Sequence, residues 1–587
     1  MGRQRKLLKG LGVSSGIGHG TAYLFLSSSH LVAPRREILP GEIAPELAKF
    51  DAALKTAADD IAALRDSVRE KLGTDEAEIF GAQLVVLKDP LLLKDVFNAV
   101  THNKLNIEAA VSDVIGRAAQ MLAALPDPYI QERAADVRDI GRRVLSVLMR
   151  RHSGEDILVP PDSVIVAEEL LPSVTAHMQL KGIRGIVTEK GGRTSHTAII
   201  ARSLNVPYAA GVTGALAGIR AGQTLLVDGK RGEVYLDPGP SLLRRYERIE
   251  TELESRREDL EELSDLLTVT QDGARIALTA NVANPDDARS ARGLGADGIG
   301  LCRTEFLFMG QQSFPTEEEQ FRFYKEFVAA MKPAPVTIRV LDLGSDKILP
   351  YFPLPAGPSS ALTLRGIRLM LKYPEILQVQ LKAILRAGMT GAVKILLPMV
   401  VDAGDVAEAK RLIRTAETAL RAENRRFAKG IPVGAMIEVP SAVITIDKIT
   451  AAADFLAIGT NDLIQYLLTA DRTSPDMASY YDSLHPSVLE ALRQVTAAAK
   501  KCGKDASVCG EMAADPRCTK LLLGLGVRSL SVVPGKILEV REAVRAVSLL
   551  EAEGLAGRAL QAETGTAVRA VLKDPLAEAA DRPAIQN

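Results

Sequence analysis

Gly191-Gly192-Arg193-Thr194-Ser195-His196-Thr197-Ala198-Ile199-Ile200-Ala201-Arg202 follows directly on a strand-like run, Gly185-Ile186-Val187-Thr188, and a charged Glu189-Lys190 pair. An apolar helical pattern begins at once, so a histidine stands where a strand hands over to a helix. This pattern predicts an α/β unit with its chemistry at the strand end. The glycines let the backbone turn and approach a bulky group closely. Thr194 and Ser195 offer hydroxyls, and the unpaired N–H groups of the new helix favour an anion carried by His196. A lone histidine near a turn is usually a surface or capping residue, but this histidine comes with a twelve-residue pattern.

The whole chain has 587 residues, 47% of them hydrophobic and 25% charged, enough for two to four globular domains. Its 73 acidic and 72 basic side chains nearly cancel, which argues against a chain-wide nucleic-acid binder. Cys302, Cys502, Cys509 and Cys518 show no CxxC spacing, so neither a zinc site nor a disulfide framework is indicated, and a reducing cytoplasm fits best. The basic N-terminus Met1-Gly2-Arg3-Gln4-Arg5-Lys6 is followed by Lys9 and glycines rather than an apolar core, so no targeting segment is expected. No run of about eighteen uncharged apolar residues occurs, so no membrane span is expected either.

Residues 10–28, with glycines at 10, 12, 16, 18 and 20, predict a glycine-rich turn and then a strand. Apolar residues at three- and four-residue spacing predict helices at 46–72, 75–87, 91–101, 107–124 and 128–152, with Pro90, Pro126 and Pro128 as breaks. β-character returns at Ser163-Val164-Ile165-Val166-Ala167 and lasts to Val234-Tyr235-Leu236. Residues 1–29 and 155–238 therefore read as one α/β domain with a helical bundle, 30–154, inserted into it. A long amphipathic helix follows at 239–268, its apolar alternation broken by Arg256; at about 1.5 Å per residue it would span roughly 40 Å. The next segment, 269–574, reads as a (β/α)8 barrel with strand runs at 276–282, 298–302, 336–342, 392–398, 433–438, 455–459, 506–509 and 529–533, leaving 575–587 as a tail.

Polar residues gather at the ends of those runs: Asn281, Arg303 with Glu305, Arg339 with Asp342, Glu438, Asn461 with Asp462, and Cys509 with Glu511. In a barrel of this kind the strand ends open onto one face, so these side chains are expected to converge on one ligand. Arg303, Arg339, Arg365, Arg368 and Arg472 predict a polyanion, because planar guanidinia suit phosphate and carboxylate groups. Glu438 and Asp462 suit Mg²⁺, which keeps waters and takes further oxygens from substrate. The string Gly293–Gly298 has the form GxGxxG but precedes a strand instead of following one, and no P-loop motif occurs.

GGRTSHTAIIARSLNVPYAAG (191–211) resembles the phosphohistidine signature shared by enzyme I of the sugar phosphotransferase system, phosphoenolpyruvate synthase and pyruvate phosphate dikinase. GIGLCRTEFLFM (298–309), TIRVLDLGSDK (337–347), GAMIEVPSA (434–442), AIGTNDLIQYLLTADR (457–472) and VCGEMAAD (508–515) are similar to that family's barrel blocks, and the likeness to enzyme I runs through nearly the whole chain. It implies a phosphoenolpyruvate-protein phosphotransferase in which His196 takes the phosphoryl group and passes it to the carrier protein HPr. It further implies that Arg303, Arg339, Arg365, Arg472 and Asn461 bind phosphoenolpyruvate, that Glu438 and Asp462 hold Mg²⁺, that Cys509 is the acid/base at the methylene carbon, and that Thr175 fixes the histidine tautomer. HPr docking on the inserted helices, a homodimer through the barrel and a large domain swivel are implied in the same way. Two other readings are an ATP-using dikinase or synthase, which the lack of a nucleotide-grasping domain ahead of His196 disfavours, and a regulatory protein that senses phosphoenolpyruvate. The chain departs from the family's usual pattern at Ser359-Ser360-Ala361-Leu362-Thr363, at Val13-Ser14-Ser15-Gly16-Ile17-Gly18-His19 and at Lys88.

Overall fold

The chain divides after Glu254 into two units in this computed structural model. The described residues are 7–25, 33–71, 80–81, 83–84, 86–87, 89–124, 128–149, 159–171, 174–175, 178, 182–192, 195–309, 311, 313–344, 349, 351–352, 364–472 and 474–572. Lys88, Arg193, Thr194, Ser359–Thr363, the tail 575–587 and much of the helix expected at 75–87 lie outside them.

In the first unit, β1 (Leu7–Lys9), β2 (Leu11–Ser14), β3 (Ile17–Phe25), β4 (Ser163–Ala167), β5 (Gly185–Thr188), β6 (Tyr208–Ala210), β7 (Thr224–Asp228) and β8 (Glu233–Leu236) form one sheet in the order β1-β8-β7-β3-β4-β5-β6-β2. The run β3-β4-β5-β6 is parallel and its outer partners are antiparallel. β4 and β5 are buried along their whole length, as parallel strands covered on both faces must be. Ile165, Ile186 and Tyr208 pack with Ala198 and Ala201 of the helix His196–Ser203, while Val164, Val187 and Val227 pack on the other face.

The glycine-rich start differs from expectation: it is three strands, and its glycines serve packing as well as turning. A Cβ on Gly18 would overlap the Arg184 carbonyl, one on Gly20 the Asp162 carbonyl, and one on Gly12 the Lys230 carbonyl. Neighbouring backbone therefore runs where side chains would stand, and alternation cannot be read where the side chain is a hydrogen.

The inserted helices Ile43–Lys71, Pro90–Thr101, Ile107–Ala123 and Pro128–Leu148 enclose a core of Phe50, Ile61, Val100, Val111 and Val144. Asp89 caps Pro90–Thr101, accepting from Leu91 N at 2.8 Å and Leu92 N at 3.2 Å, with proline at the first helical position, where no N–H is needed.

In the second unit, β9 (Ala277–Val282), β10 (Ile299–Cys302), β11 (Val336–Arg339), β12 (Val393–Leu397), β13 (Val433–Ile437), β14 (Phe455–Ile458), β15 (Ala506–Val508) and β16 (Ser529–Val532) close a parallel barrel. Each lies within its expected run. The amphipathic helix is shorter than expected, Pro240–Glu261, or about 33 Å. The chain beyond it turns instead of continuing as helix. Leu263 O and Ser264 O there accept from the fully buried Arg541 at 2.8 and 2.7 Å, and Gly295 O accepts at 2.6 Å. Arg256, out of place in an apolar stripe, pairs with Glu542. No helix among the described residues is long and apolar enough to cross a membrane.

Gly18→Ala should destabilise the chain by about 1–3 kcal/mol, the usual cost of overpacking. Gly41→Ala, whose Cβ would meet nothing within 4 Å, should stay within about 0.5 kcal/mol. Chemical unfolding of both variants measures this, and equal midpoints would contradict it.

Candidate functional site

Two places hold the candidate residues, one in each unit. In the first, His196 is the opening residue of its helix and Ser195 is the N-cap. Ser195 Oγ donates to Gly192 O at 2.9 Å and accepts from Ala198 N at 3.3 Å, fixing the angle at which the chain enters the helix. Gly191 has φ +110°, and a Cβ there would meet Tyr208 Oη at 2.9 Å. That hydroxyl lies 2.8 Å from Thr188 Oγ1 at the end of β5. Thr197 Oγ1 donates to Leu170 O at 2.9 Å, which ties the first turn to the loop after β4. Thr175 is buried, with its hydroxyl donating to Leu171 O at 3.3 Å. Glycine, hydroxyl cap and strand end thus place the histidine backbone at a helix N-terminus, where a negative charge is favoured.

In the second unit, a cavity of about 280 Å³ opens at the carboxyl ends of the strands. Arg303, Arg339, Arg365, Glu438, Asn461, Asp462, Arg472 and Cys509, all expected site residues, line it together with Glu305, Asp342 and Glu511. Two expected participants do not line it. Arg368 is exposed on the helix Gly366–Lys372. Asn281 is buried, its amide committed to backbone carbonyls inside the barrel.

The four guanidinia fall into two kinds. Arg339 is buried between Glu305 and Asp342, with Asp342 at 3.4 Å. Arg365 bonds Asp342 at 2.9 Å and faces Asp462 at 3.6 Å. Burial alone would lower both guanidinium pKa values, but the surrounding carboxylates more than offset it and hold them raised. Arg303 and Arg472 are exposed, and among the described residues neither has an ion-pair partner. They are the cations available to an incoming anion.

The cavity is not simply basic, as the arginine content alone suggested. Four arginines meet five carboxylates, those of Glu305, Asp342, Glu438, Asp462 and Glu511. Glu438 is 1% exposed, accepts from Met399 N at 2.7 Å, and has its pKa pushed up to about 8 by burial and then by Asp462 and Asp342. Met399 holds φ +55° to present that N–H, an uncommon conformation for a non-glycine residue. Gly459 makes room for the carboxylate: a Cβ there would lie 2.5 Å from Glu438 Oε2.

No group of three or more His, Cys, Asp or Glu with metal-binding geometry occurs among the described residues. Two carboxylates nonetheless suit an ion that completes its shell with water and substrate oxygens, and a divalent cation beside Glu438 and Asp462 would favour the ionised form that burial and Asp462 oppose.

Asn461 Oδ1 accepts from Glu511 N at 2.8 Å, which leaves its amide nitrogen as the donor to a ligand. Cys509 is buried, its Sγ donating to Ile458 O at 3.4 Å, and its pKa is pushed up to about 12, first by burial and then by Glu438, against Arg339 and Arg303. It is therefore a thiol at neutral pH. Leu301 and Met436 join Cys509 in an apolar cluster that forms one side of the cavity. Sequence reasoning passed over these two residues and Gly459 and Gly510; the available signal was a glycine or an inward-facing apolar residue at a barrel strand end.

The chain matches three family models: PEP-utilising enzyme, N-terminal, over residues 9–133; PEP-utilising enzyme, mobile domain, over 159–232; and PEP-utilising enzyme, PEP-binding domain, over 257–549. It is 38% identical over 570 residues to the phosphoenolpyruvate-protein phosphotransferase of Bacillus sp. (strain S), covering 97% of this chain and 98% of that one. The protein of the same name from Geobacillus stearothermophilus matches equally, 38% over 570 residues with 97% and 98% covered. That of Haemophilus influenzae is 36% identical over 572 residues, with 97% and 99% covered.

Glu438 also makes a pH prediction. A carboxyl whose pKa is raised on folding opposes folding where it is ionised, so without a divalent cation stability falls as pH rises from the ordinary carboxylate range through about 8. Between about pH 6 and pH 8.5 the barrel of Glu438→Gln should lose less stability than wild type, by up to a few kcal/mol at about 1.4 kcal/mol per tenfold change in proton affinity. Thermal melts of both proteins measure it, and parallel pH slopes would refute it.

Proposed function

The chain belongs to the PEP-utilising enzyme family, and from that premise we propose that it is a phosphoenolpyruvate-protein phosphotransferase that charges its own His196 and then a histidine of an HPr-type carrier. The observation that carries the reading is the set of four guanidinia, two metal-suited carboxylates and one buried thiol around a single cavity.

In this reading Arg303 and Arg472 receive the phosphate and carboxylate of phosphoenolpyruvate, the preoriented Arg339 and Arg365 complete the clamp, and Asn461 donates from its amide nitrogen. Fixed donors suit phosphoryl transfer, whose loose, in-line transition state asks mainly for positioning and charge stabilisation. Glu438 and Asp462 would hold Mg²⁺, which when bound supplies charge neutralisation at the phosphate and enolate oxygens. An unprotonated ring nitrogen of His196 attacks phosphorus, the N–P bond forms, and the P–O bond breaks toward enolpyruvate. Thr175 is assigned to fix the histidine tautomer. Cys509 then protonates the methylene carbon to give pyruvate.

His196 must meet the barrel mouth to be charged and a carrier to be discharged, so domain motion belongs to the cycle. The inserted helices, 30–154, are assigned as the carrier-docking element, and the barrel as the homodimer contact; a cytoplasmic location goes with a soluble carrier. Residues 268–587 alone should self-associate at about tens of micromolar while 1–240 stays monomeric, measured by light scattering.

Labelled phosphoenolpyruvate with Mg²⁺, with and without ATP and with and without HPr, tests the activity. A single acid-labile label on the wild type, passed to HPr without ATP, is expected, with none on His196→Ala. Labelled His196→Ala, or a requirement for ATP, would overturn the assignment. Cys509→Ala should slow deuterium exchange into the pyruvate methyl group about a hundredfold while forward transfer falls far less, because enolpyruvate can ketonise in water. Wild-type exchange in that variant would remove Cys509 from the mechanism.

A further inference from the structure

Asn281 ends up below the cavity instead of in it. Its Nδ2 donates to Cys509 O at 2.9 Å and to Ser531 O at 3.0 Å, and its Oδ1 accepts from Ser531 Oγ at 2.7 Å. β9 pairs with β16, and β16 with β15, so the amide of a β9 residue reaches past one strand to the end of the next from inside the barrel. Ser531 is fully buried. Gly300 on β10 leaves the space for this network, because a Cβ there would overlap Ser531 Oγ and Thr279 Oγ1. An interior amide with three hydrogen bonds is held in one orientation, since turning it would leave buried polar atoms unmet.

What the amide holds is the peptide that follows the thiol. Cys509 N donates to Ile458 O at 3.1 Å, which fixes the preceding side of the residue. On the following side stands Gly510, whose backbone is intrinsically the least restrained, so the orientation of the Cys509 carbonyl falls to Asn281. The two peptide planes together set the Cα–Cβ direction and hence where Sγ reaches.

We propose that Asn281 is a positioning residue for proton transfer at Cys509. This rests on the reading of Cys509 as the acid. In the forward direction the enolate electron pair forms a C–H bond at the methylene carbon with the proton from Sγ, leaving a thiolate that water reprotonates. In reverse the thiolate takes a proton from the pyruvate methyl group. Phosphorus chemistry at His196 does not pass through Asn281, so the two half-processes respond differently to its loss.

The test is the ratio of two rates on the same full-length protein: deuterium uptake into the pyruvate methyl group in D2O, by NMR, and single-turnover phosphorylation of His196 by phosphoenolpyruvate. Both rates are expressed per active protein, with the active fraction read from the single-turnover amplitude, so the ratio does not depend on how much of the protein is folded. Asn281→Ala, and the milder Ser531→Ala that removes the hydroxyl orienting the amide, should lower it about tenfold to a hundredfold, the effect of misplacing a reacting group by a fraction of an ångström to an ångström. A ratio within about twofold of wild type in Asn281→Ala, or in Ser531→Ala should the former not fold, overturns the inference, as does an equal fall of both rates. Cys509→Ala run alongside separates the failures: retained exchange there defeats the acid assignment itself, whereas lost exchange there with an unchanged ratio in the Asn281 variant defeats only the positioning role.

Discussion

Two guanidinia share one carboxylate at the barrel mouth, and the site is arranged around that shared charge. Asp342 takes a bond from Arg365 at 2.9 Å and faces Arg339 at 3.4 Å; Arg339 turns its other side to Glu305, and Arg365 its other side to Asp462. Such a chain of alternating charges is stable in a protein interior only when complete, since removing one partner from a buried pair costs about 3–5 kcal/mol. It is complete along Glu305, Arg339, Asp342 and Arg365. It is unbalanced at its far end, where Asp462 and Glu438 crowd together and Glu438 resists ionising. An anion alone would meet five carboxylates, and a cation alone would leave Arg303 and Arg472 uncovered. The arrangement favours a phosphorylated acid and a divalent cation arriving together, because each supplies the charge the other lacks.

Holding that lattice still is the task of uncharged groups around it. Gly459 leaves the space the Glu438 carboxylate fills, Met399 takes an uncommon backbone conformation to donate to it, and Asn281 spans from β9 to the peptide after Cys509. Gln380, fully buried, accepts from Leu341 N at 2.9 Å and donates to Thr304 Oγ1 at 3.3 Å, bracing the strand ends that carry Arg339 and Arg303 from behind. The histidine end follows the same logic on a smaller scale: Ser195 and Thr197 fix the first helical turn through hydrogen bonds to backbone carbonyls. Both places stand where a strand ends, and in both, polar bonds to the backbone hold the segment that carries the candidate residue.

Much of this was legible from residue order. Barrel strands are short, apolar and punctuated, so each observed strand falls inside the run read from the sequence, and the residues just beyond the strand ends mark the mouth. His196, Glu438, Asp462 and Cys509 stood out because each is a reactive type at a strand end. The glycine-rich start was misread because a glycine needed for a turn and one needed for close packing look identical in sequence; only the carbonyls of Arg184, Asp162 and Lys230 tell them apart. The amphipathic helix was read too long because Leu263 and Leu267 keep its spacing beyond Glu261, where a guanidinium from far along the chain takes up the carbonyls of the turn.

The sequence by itself determined the positions of the barrel strands and the chemical types at their ends, because these depend on local periodicity and on residues near one another in the chain. Which of those residues face a ligand was decided only by the tertiary structure. Arg368 points outward although Arg365 lines the cavity, and Asn281 bonds partners 228 and 250 residues away. The charge balance of the mouth was likewise hidden, since Arg365 meets Asp342 and Asp462 only once the barrel has closed. Closure brings strand ends distant in sequence around one cavity, and the depth at which each side chain stands depends on the stagger between strands, which no single strand encodes.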